Sequence, residues 1–157
     1  YFAKNGKSPE AVVDKTEYAD MAIVPTDCAP YESSKSGIYS NDANNKFMVS
    51  GKEYNTGIVL NAYSGSEFAL YNHGKYEKLC LTMSKVDGTA EGGNEICIAI
   101  DGVEEYYDIS SDSEPQTIEL DLKGKKQIVF KITQNNSVRA DILLYNMYFS
   151  KNGAKPQ

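Results

Sequence analysis

Apolar and polar residues alternate in a series of short segments along this chain. Leu79, Leu81 and Met83 share one side of such a segment, and similar triplets recur at Ile96, Ile98 and Ile100, at Ile118, Leu120 and Leu122, and at Ile128, Phe130 and Ile132. Successive side chains of a strand point to opposite faces, so each triplet predicts one buried face. Clusters of Gly, Asn, Asp and Ser separate the segments. The pattern predicts an all-β fold in which two antiparallel sheets pack as a β-sandwich.

Ten strands are predicted, and together they define one module. They cover residues 18–24, 47–50, 54–60, 67–71, 78–84, 95–101, 105–109, 116–122, 127–133 and 140–149. A chain of 157 residues can bury one core. We therefore expect a sandwich module over 18–150, preceded by an extension or linker over 1–17 and followed by a tail over 151–157.

Charge and apolar content argue against two classes of partner. The 16 basic and 22 acidic residues give a net charge of −6, which would repel the phosphate backbone of a nucleic acid. No segment approaches the roughly 20 apolar residues that a membrane span needs, so we expect no membrane insertion. The first residues carry no recognisable targeting signal, and we interpret the chain as a module excised from a larger protein.

Counting one reversal of direction for each connection assigns every loop to an end of the sandwich. The stretch 26–46 and the loops 61–65, 85–94, 110–115 and 134–139 are expected at one end, which we call the long-loop end. The turns 51–53, 72–77, 102–104 and 123–126 are expected at the other. Loops held by a rigid scaffold often carry function, so the long-loop end is the predicted binding surface.

Five short motifs occur in the order found in a known family. Residues 49–58 place a glycine and an aromatic residue before a Gly-Ile pair, and residues 60–64 (Leu-Asn-Ala-Tyr-Ser) stand where the family has His-Ala-x-Ser. Residues 68–76 hold a short strand and a Gly-x-Tyr turn, 98–102 an apolar strand ending in Asp-Gly, and 139–142 (Arg-Ala-Asp-Ile) the counterpart of Ala-Asp-Trp. On these motifs the chain from about residue 18 to 149 resembles the NPCBM family, which is related to family 51 carbohydrate-binding modules.

This resemblance implies a jelly-roll, galactose-binding-domain-like β-sandwich. It also implies attachment to a glycoside hydrolase or a cell-surface protein and, for some members, binding of galactose-containing glycans. Two positions depart from the family pattern. Asn61 replaces the usual His and keeps hydrogen-bonding capacity without the ring, while Ile142 replaces the usual Trp and keeps only apolar bulk.

Sugar recognition needs an aromatic face for the C–H side of a pyranose ring, and planar amides, carboxylates or Arg for its hydroxyl groups. The predicted long-loop end supplies both, and the candidate ligand-binding residues are Tyr31, Glu32, Tyr39, Asn61, Tyr63, Asn135, Arg139 and Asp141. Convergence of Asn61 and Asp141 is also what the resemblance implies. Arg139 could equally hold Asp141 or Glu32 in a structural ion pair. The absence of Trp disfavours a flat cellulose-type platform and favours a small pocket for a terminal sugar.

Two functional hypotheses follow. The first is a non-catalytic carbohydrate-binding module of a secreted or cell-surface bacterial glycan-degrading or adhesive protein, with a glycan as partner and no required cofactor. The second is a structural or protein-interaction spacer of a larger secreted protein, which the departures at Asn61 and Ile142 favour. An enzyme is not expected, because an acidic sandwich supplies carboxylate pairs by chance and the only histidine, His73, is predicted in a turn without a nearby nucleophile.

A structural Ca²⁺ is an alternative use of the acidic loops. Oxygen ligands of the type that calcium prefers are available in two groups: Asn41, Asp42, Asn44 and Asn45, or Asp87 and Glu91. Neither group has the spacing of an EF-hand loop, and solvated turns are the other interpretation.

The cysteines leave a second alternative open. If loop 85–94 closes a hairpin, Cys80 and Cys97 lie nearly opposite each other, within reach of a disulfide. Both could instead be small buried thiols, and Cys28 remains unpaired in either case.

Overall fold

The computed structural model describes residues 20–72, 74–110 and 112–156, in which every regular element is a β-strand. The predicted extension over 1–17 and the turn residue His73 therefore lie outside the described residues. The strands are β1 (Met21–Val24), β2 (Glu32–Ser34), β3 (Ser36–Tyr39), β4 (Phe47–Val49), β5 (Lys52–Tyr54), β6 (Gly57–Leu60), β7 (Glu67–Tyr71), β8 (Lys78–Lys85), β9 (Asn94–Ile100), β10 (Val103–Ile109), β11 (Gln116–Asp121), β12 (Gln127–Ile132) and β13 (Ile142–Ser150).

Two antiparallel sheets pack face to face, so the predicted all-β sandwich is confirmed. The six-stranded sheet has the order β11-β8-β13-β6-β3, with β1 paired to β13 as well. The five-stranded sheet has the order β10-β9-β12-β7-β2. The main core between them is built from the predicted apolar triplets, with Leu79, Leu81, Ile96 and Phe130 at most 1% exposed. The rings of Phe68 and Phe130 stack with their centroids 4.6 Å apart.

A two-stranded hairpin, β4–β5, covers the outer face of the six-stranded sheet. Val49 of this hairpin packs with Val59 and Leu143, which point away from the main core. Strands β6 and β13 are thus buried on both faces, which explains their continuous apolar sequence. The hairpin also corrects the prediction for the turn 51–53. Gly51 donates its backbone N–H to Asp87 Oδ2 at 2.9 Å, so the turn lies beside loop 85–94 instead of at the opposite end.

The stretch 26–46 is not a single loop, which corrects a second prediction. It contains β2, which pairs with β7 in the five-stranded sheet, and β3, which pairs with β6 in the six-stranded sheet. Strand β2 is exposed at every residue, and β3 has no fully buried residue. Neither strand therefore carries the buried periodicity on which the sequence prediction depends.

Loop 85–94 does not close a hairpin, so of the two alternatives for Cys80 and Cys97 the disulfide is excluded and the separate buried thiols are found. Cys80 lies on β8 of the six-stranded sheet and Cys97 on β9 of the five-stranded sheet, because the loop crosses from one sheet to the other. All three cysteines are free thiols, and Cys80 Sγ lies 3.6 Å from Glu119 Oε2. Burial raises the pKa of both the Cys80 and the Cys97 thiol.

Candidate functional site

Five of the eight predicted site residues gather at one end of the sandwich. Asn61 and Tyr63 lie in the turn after β6, and Asn135, Arg139 and Asp141 lie between β12 and β13. We call these five residues the loop-end site. Their proximity follows from the topology, because Leu60 at the end of β6 pairs with Ile142 at the start of β13.

The turn 61–66 is closed by its own polar groups. Gly65 N–H donates to the Asn61 carbonyl at 3.1 Å, and Ser64 N–H donates to Asn61 Oδ1 at 3.2 Å. Ser66 Oγ accepts the Asn61 N–H. An Asn at this position therefore fixes the turn through its carbonyl oxygen, while its Nδ2 donor has no partner among residues whose contacts are described.

Two contacts join this turn to the segment that precedes β13. Asp141 Oδ1 accepts the backbone N–H of Ala62 at 3.0 Å, across 79 positions of sequence. Gly65 lies against the side chain of Asn135, since a Cβ on this glycine would stand 2.6 Å from Asn135 Nδ2. The backbone at Gly65 has a φ of 69°, a second reason for glycine there. The predicted convergence of Asn61 and Asp141 is present, and Asp141 serves first to hold the turn.

Asn94, the first residue of β9, fixes the segment 134–140. It is not among the site residues predicted from the sequence. Its side chain is 2% exposed. Nδ2 donates to the carbonyls of Ala140 at 2.9 Å and Gln134 at 3.2 Å, while Oδ1 accepts the N–H of Gln134 at 3.3 Å. A lone Asn at the start of an apolar strand looks like an ordinary boundary residue. The preceding pair, Gly92-Gly93, is the only signal in the sequence that a backbone passes close by.

Arg139 follows Val138, whose backbone passes close to Gly92. Gly92 donates to the Val138 carbonyl at 2.9 Å, and a Cβ on Gly92 would stand 2.3 Å from that oxygen. Arg139 donates one guanidinium N–H to the Gly93 carbonyl at 3.4 Å, and its Nε is buried without a hydrogen-bond partner. Of the salt bridges within 20–72, 74–110 and 112–156, none joins Arg139 to Asp141 or Glu32, so the structural ion pair considered from sequence is absent there.

The loop-end site presents both an apolar face and polar groups to solvent. Tyr63 is 74% exposed, the highest value among the large hydrophobic side chains of the described residues, and Val138 in the facing loop is 65% exposed. The same two loops carry the half-buried Asn61, whose Nδ2 has no partner among the described residues, and the half-buried Arg139. The departure at Ile142 has no part in this surface, because Ile142 is fully buried in the main core.

The other three predicted site residues lie away from this end. The Tyr31 ring meets Tyr71 edge-on at 6.2 Å, and its hydroxyl accepts a hydrogen bond from Gln127, directly after the turn 123–126. Glu32 pairs with Ala69 in the middle of β7, and with Tyr31 it lines a groove of about 540 Å³ on the five-stranded sheet. Their location was predicted wrongly because 26–46 contains two strands.

Tyr39 lies at the end of β3 that is remote from the loop-end site. It pairs with Gly57 at the start of β6, whereas Asn61 follows the end of that strand. Its ring packs on Phe47 at 4.6 Å. A ligand contact by Tyr31, Glu32 or Tyr39 stays a prediction, separate from the loop-end site.

Two of the carboxylates considered for calcium, Asp42 and Asp87, accept hydrogen bonds from backbone N–H groups. Asp42 accepts the N–H of Asn44 at 2.8 Å and the side-chain amide of Asn45 at 3.0 Å, and these bonds lower the pKa of Asp42, the Asn45 amide most. Both Asp87 oxygens accept N–H groups of the β4–β5 turn. In the described part of the chain, no cluster of three or more His, Cys, Asp or Glu is placed to hold a metal ion.

The fold is shared with solved carbohydrate-binding modules. The chain is similar over 83% of its length to a structure of the CBM51-2 and INT domains of Clostridium perfringens ZmpB, of which it covers 31%, with a TM-score of 0.64 and 12% identity. The same CBM51-2 and INT domains in complex with GlcNAc give 0.55 and 12%, with 78% of this chain and 32% of that one covered. CBM51 from Clostridium perfringens GH95 in complex with methyl-galactose gives 0.59 and 11%, with 77% and 94% covered.

These likenesses show a galactose-binding-domain-like β-sandwich. The chain spans about a third of the length of the two ZmpB structures and nearly all of the GH95 module. No family model matches the sequence, and no curated protein matches it. The described residues include no helix long and apolar enough to cross a membrane.

Proposed function

We propose that this chain is a non-catalytic carbohydrate-binding module that binds a glycan at the loop-end site. The observation that carries the proposal is the convergence of Asn61, Tyr63, Asn135, Arg139 and Asp141 at one end of a sandwich whose fold is that of carbohydrate-binding modules. A module of this kind would act within a larger secreted bacterial protein that degrades or adheres to glycans.

Each group has a role in this proposal. The exposed ring of Tyr63 receives the C–H face of a pyranose, and the Asn61 amide and the Arg139 guanidinium donate to its hydroxyl groups. Asp141 and Asn94 act as positioning residues, because their bonds hold the turn 61–66 and the segment 134–140 in place. A shallow site of this size leaves little net free energy after association entropy and desolvation, so the expected Kd is about μM to mM.

The solved complexes of similar modules with methyl-galactose and with GlcNAc support the choice of ligand class. We propose a neutral glycan with a terminal galactose or GlcNAc residue. The loop-end site has one exposed aromatic ring, which fits one or two sugar rings better than a long polysaccharide chain.

A spacer without a sugar site is the second candidate. One observation favours this candidate: a side-chain oxygen of Asn61 and one of Asp141 each accept a backbone N–H of the turn and so are already bonded within the protein. In that case the loop-end site is a rigid corner of the sandwich, and the exposure of Tyr63 has no ligand to explain it.

Isotope-labelled protein titrated with methyl-galactoside, GlcNAc and a glycan panel tests the proposal. The amides of 61–66 and 134–141 should shift in a saturable manner. Tyr63→Ala should weaken binding about tenfold with an unchanged fold, and Tyr106→Ala, which removes a 56% exposed tyrosine on strand β10, should leave binding intact. If none of these amide signals shifts with any glycan of the panel, the spacer is favoured.

A further inference from the structure

A cleft of about 600 Å³ lies away from the loop-end site, on the side of the six-stranded sheet that carries the β4–β5 hairpin. We call it the outer cleft; residues lining it include Lys46, Glu53, Tyr54, Asn55, Asn146 and Tyr148. Its size falls within the roughly 300–1,000 Å³ of ordinary ligand sites. None of its lining residues belongs to the loop-end site.

The cleft exists because strand β13 changes partner. Its first residues, 142–144, pair with β6, while 147–150 pair with β1 on the same side. Between the two partners the register of β13 against β8 shifts, from Tyr145 to Tyr148. The resulting bulge leaves a gap in the sheet, and the residues before β6 and the end of β1 form its walls. Bulges are frequent beside binding sites, where they redirect a side chain.

Asn146 sits in the bulge with a φ of 49° and is exposed within an otherwise mostly buried strand. Asparagine adopts this left-handed conformation more readily than most residues, so it suits the bulge. The Asn146 side chain makes no hydrogen bond to any residue of the described chain. The neighbouring Asn55 accepts a weak bond from Thr56 at 3.4 Å, which leaves its Nδ2 free as well.

The remaining lining groups define the chemistry of the ligand. Lys46 and Glu53 pair at 3.5 Å, so the cleft offers one cation and one anion without a net charge. The Tyr54 ring is held in place by Tyr145, with centroids 4.4 Å apart. Two free amides, a neutral ion pair and tyrosine edges match a neutral ligand rich in hydroxyl groups, and they give no advantage to an anion.

We propose that the outer cleft is a second saccharide-binding site, independent of the loop-end site. The inference rests on the proposed function only for the ligand class. Asp141 directly precedes β13 and Asn146 lies five residues further along the chain, within that strand, which places the two sites roughly 16 Å apart. One sugar residue cannot contact both, so the sites should saturate separately.

Titration of labelled full-length chain with methyl-galactoside, GlcNAc and neutral di- to tetrasaccharides tests the site. Amides of 54–56 and 146–148 should shift with their own Kd, and they should do so equally in Tyr63→Ala. Asn146→Gly removes the amide while glycine adopts the same φ, so it should weaken cleft binding about tenfold without lowering Tm.

Asn152→Gly is the matched control. Asn152 also has a positive φ, of 58°, but does not line the cleft, so its replacement should leave cleft binding unchanged. Cleft amides that stay silent with every saccharide, or that shift unchanged in Asn146→Gly, would overturn this proposal. Shifts in the cleft without shifts at 61–66 and 134–141 would support it while refuting the loop-end site as the binding surface.

Discussion

Replacing Asn94 by alanine should destabilise the protein and weaken glycan binding together. Three of its side-chain bonds, to the Gln134 carbonyl, the Gln134 N–H and the Ala140 carbonyl, reach across 40 or more positions of sequence. A buried hydrogen bond contributes about 1 kcal/mol net, so the loss is about 3 kcal/mol. For a domain of this length that corresponds to a fall in Tm of roughly 6–12 °C.

The effect on binding has a separate cause. Without Asn94 the segment 134–140 loses the side chain that fixes it, and a ligand must then order the segment on binding. We expect an increase in Kd of about tenfold, equivalent to about 1.4 kcal/mol. Amide hydrogen exchange in 134–140 should become faster than in the paired strands.

Asn72→Ala is the matched control at the opposite end. Asn72 is 1% exposed, and its Nδ2 donates to the carbonyls of Tyr76 and Lys125, both at 3.0 Å. Its loss should lower stability by a similar amount and leave glycan binding unchanged. Denaturant unfolding and calorimetric titration of both variants decide the matter. If the two variants lose binding equally, or if Asn94→Ala keeps full affinity, the assigned positioning role is wrong.

Two further predictions concern the thiols and a tyrosine. Alkylation of the denatured, non-reduced protein should modify all three cysteines, since Cys80 and Cys97 lie in different sheets; a mass showing only one modified thiol would contradict the topology. Burial, followed by the bond to Glu105, raises the pKa of Tyr107 to about 12. The contribution of Tyr107 to stability should be complete below about pH 10 and be lost as pH rises through about 12. Phenolate absorbance measures the ionisation, and the absence of Trp simplifies the spectrum. A single ionisation step near pH 10 for every tyrosine would contradict this prediction.

The strands that were predictable from sequence are those with one buried face. The prediction for β7 agrees with its observed bounds, Glu67–Tyr71, and that for β12 differs by one residue. Alternation reports which face a residue occupies, but it does not report to which sheet a strand belongs. Alternation in β8 and β9 therefore predicts a hairpin, whereas their connection crosses from one sheet to the other.

The candidate site was predictable where local motifs mark it. The turn at Asn61 and the segment at Asp141 carry polar residues at the ends of apolar strands, and both lie where they were expected. Asn94 and Asn146 gave no such signal. Asn94 acts through bonds to backbone groups 40 or more residues away, and Asn146 through a bulge whose position depends on three partner strands. Contacts of that range cannot be read from a local pattern.

The position of β13 at the end of the chain sets the order in which the two sheets can form during synthesis on the ribosome. The five-stranded sheet is complete in sequence once Ile132 has been made. The six-stranded sheet is not, because β13 separates β8 from β6 and also carries β1. Until residue 150 has emerged, the edges of β6 and β8 that pair with β13 have no partner and are open to pairing with other chains. A chain that stops before Ile142 should therefore aggregate instead of forming a smaller sandwich.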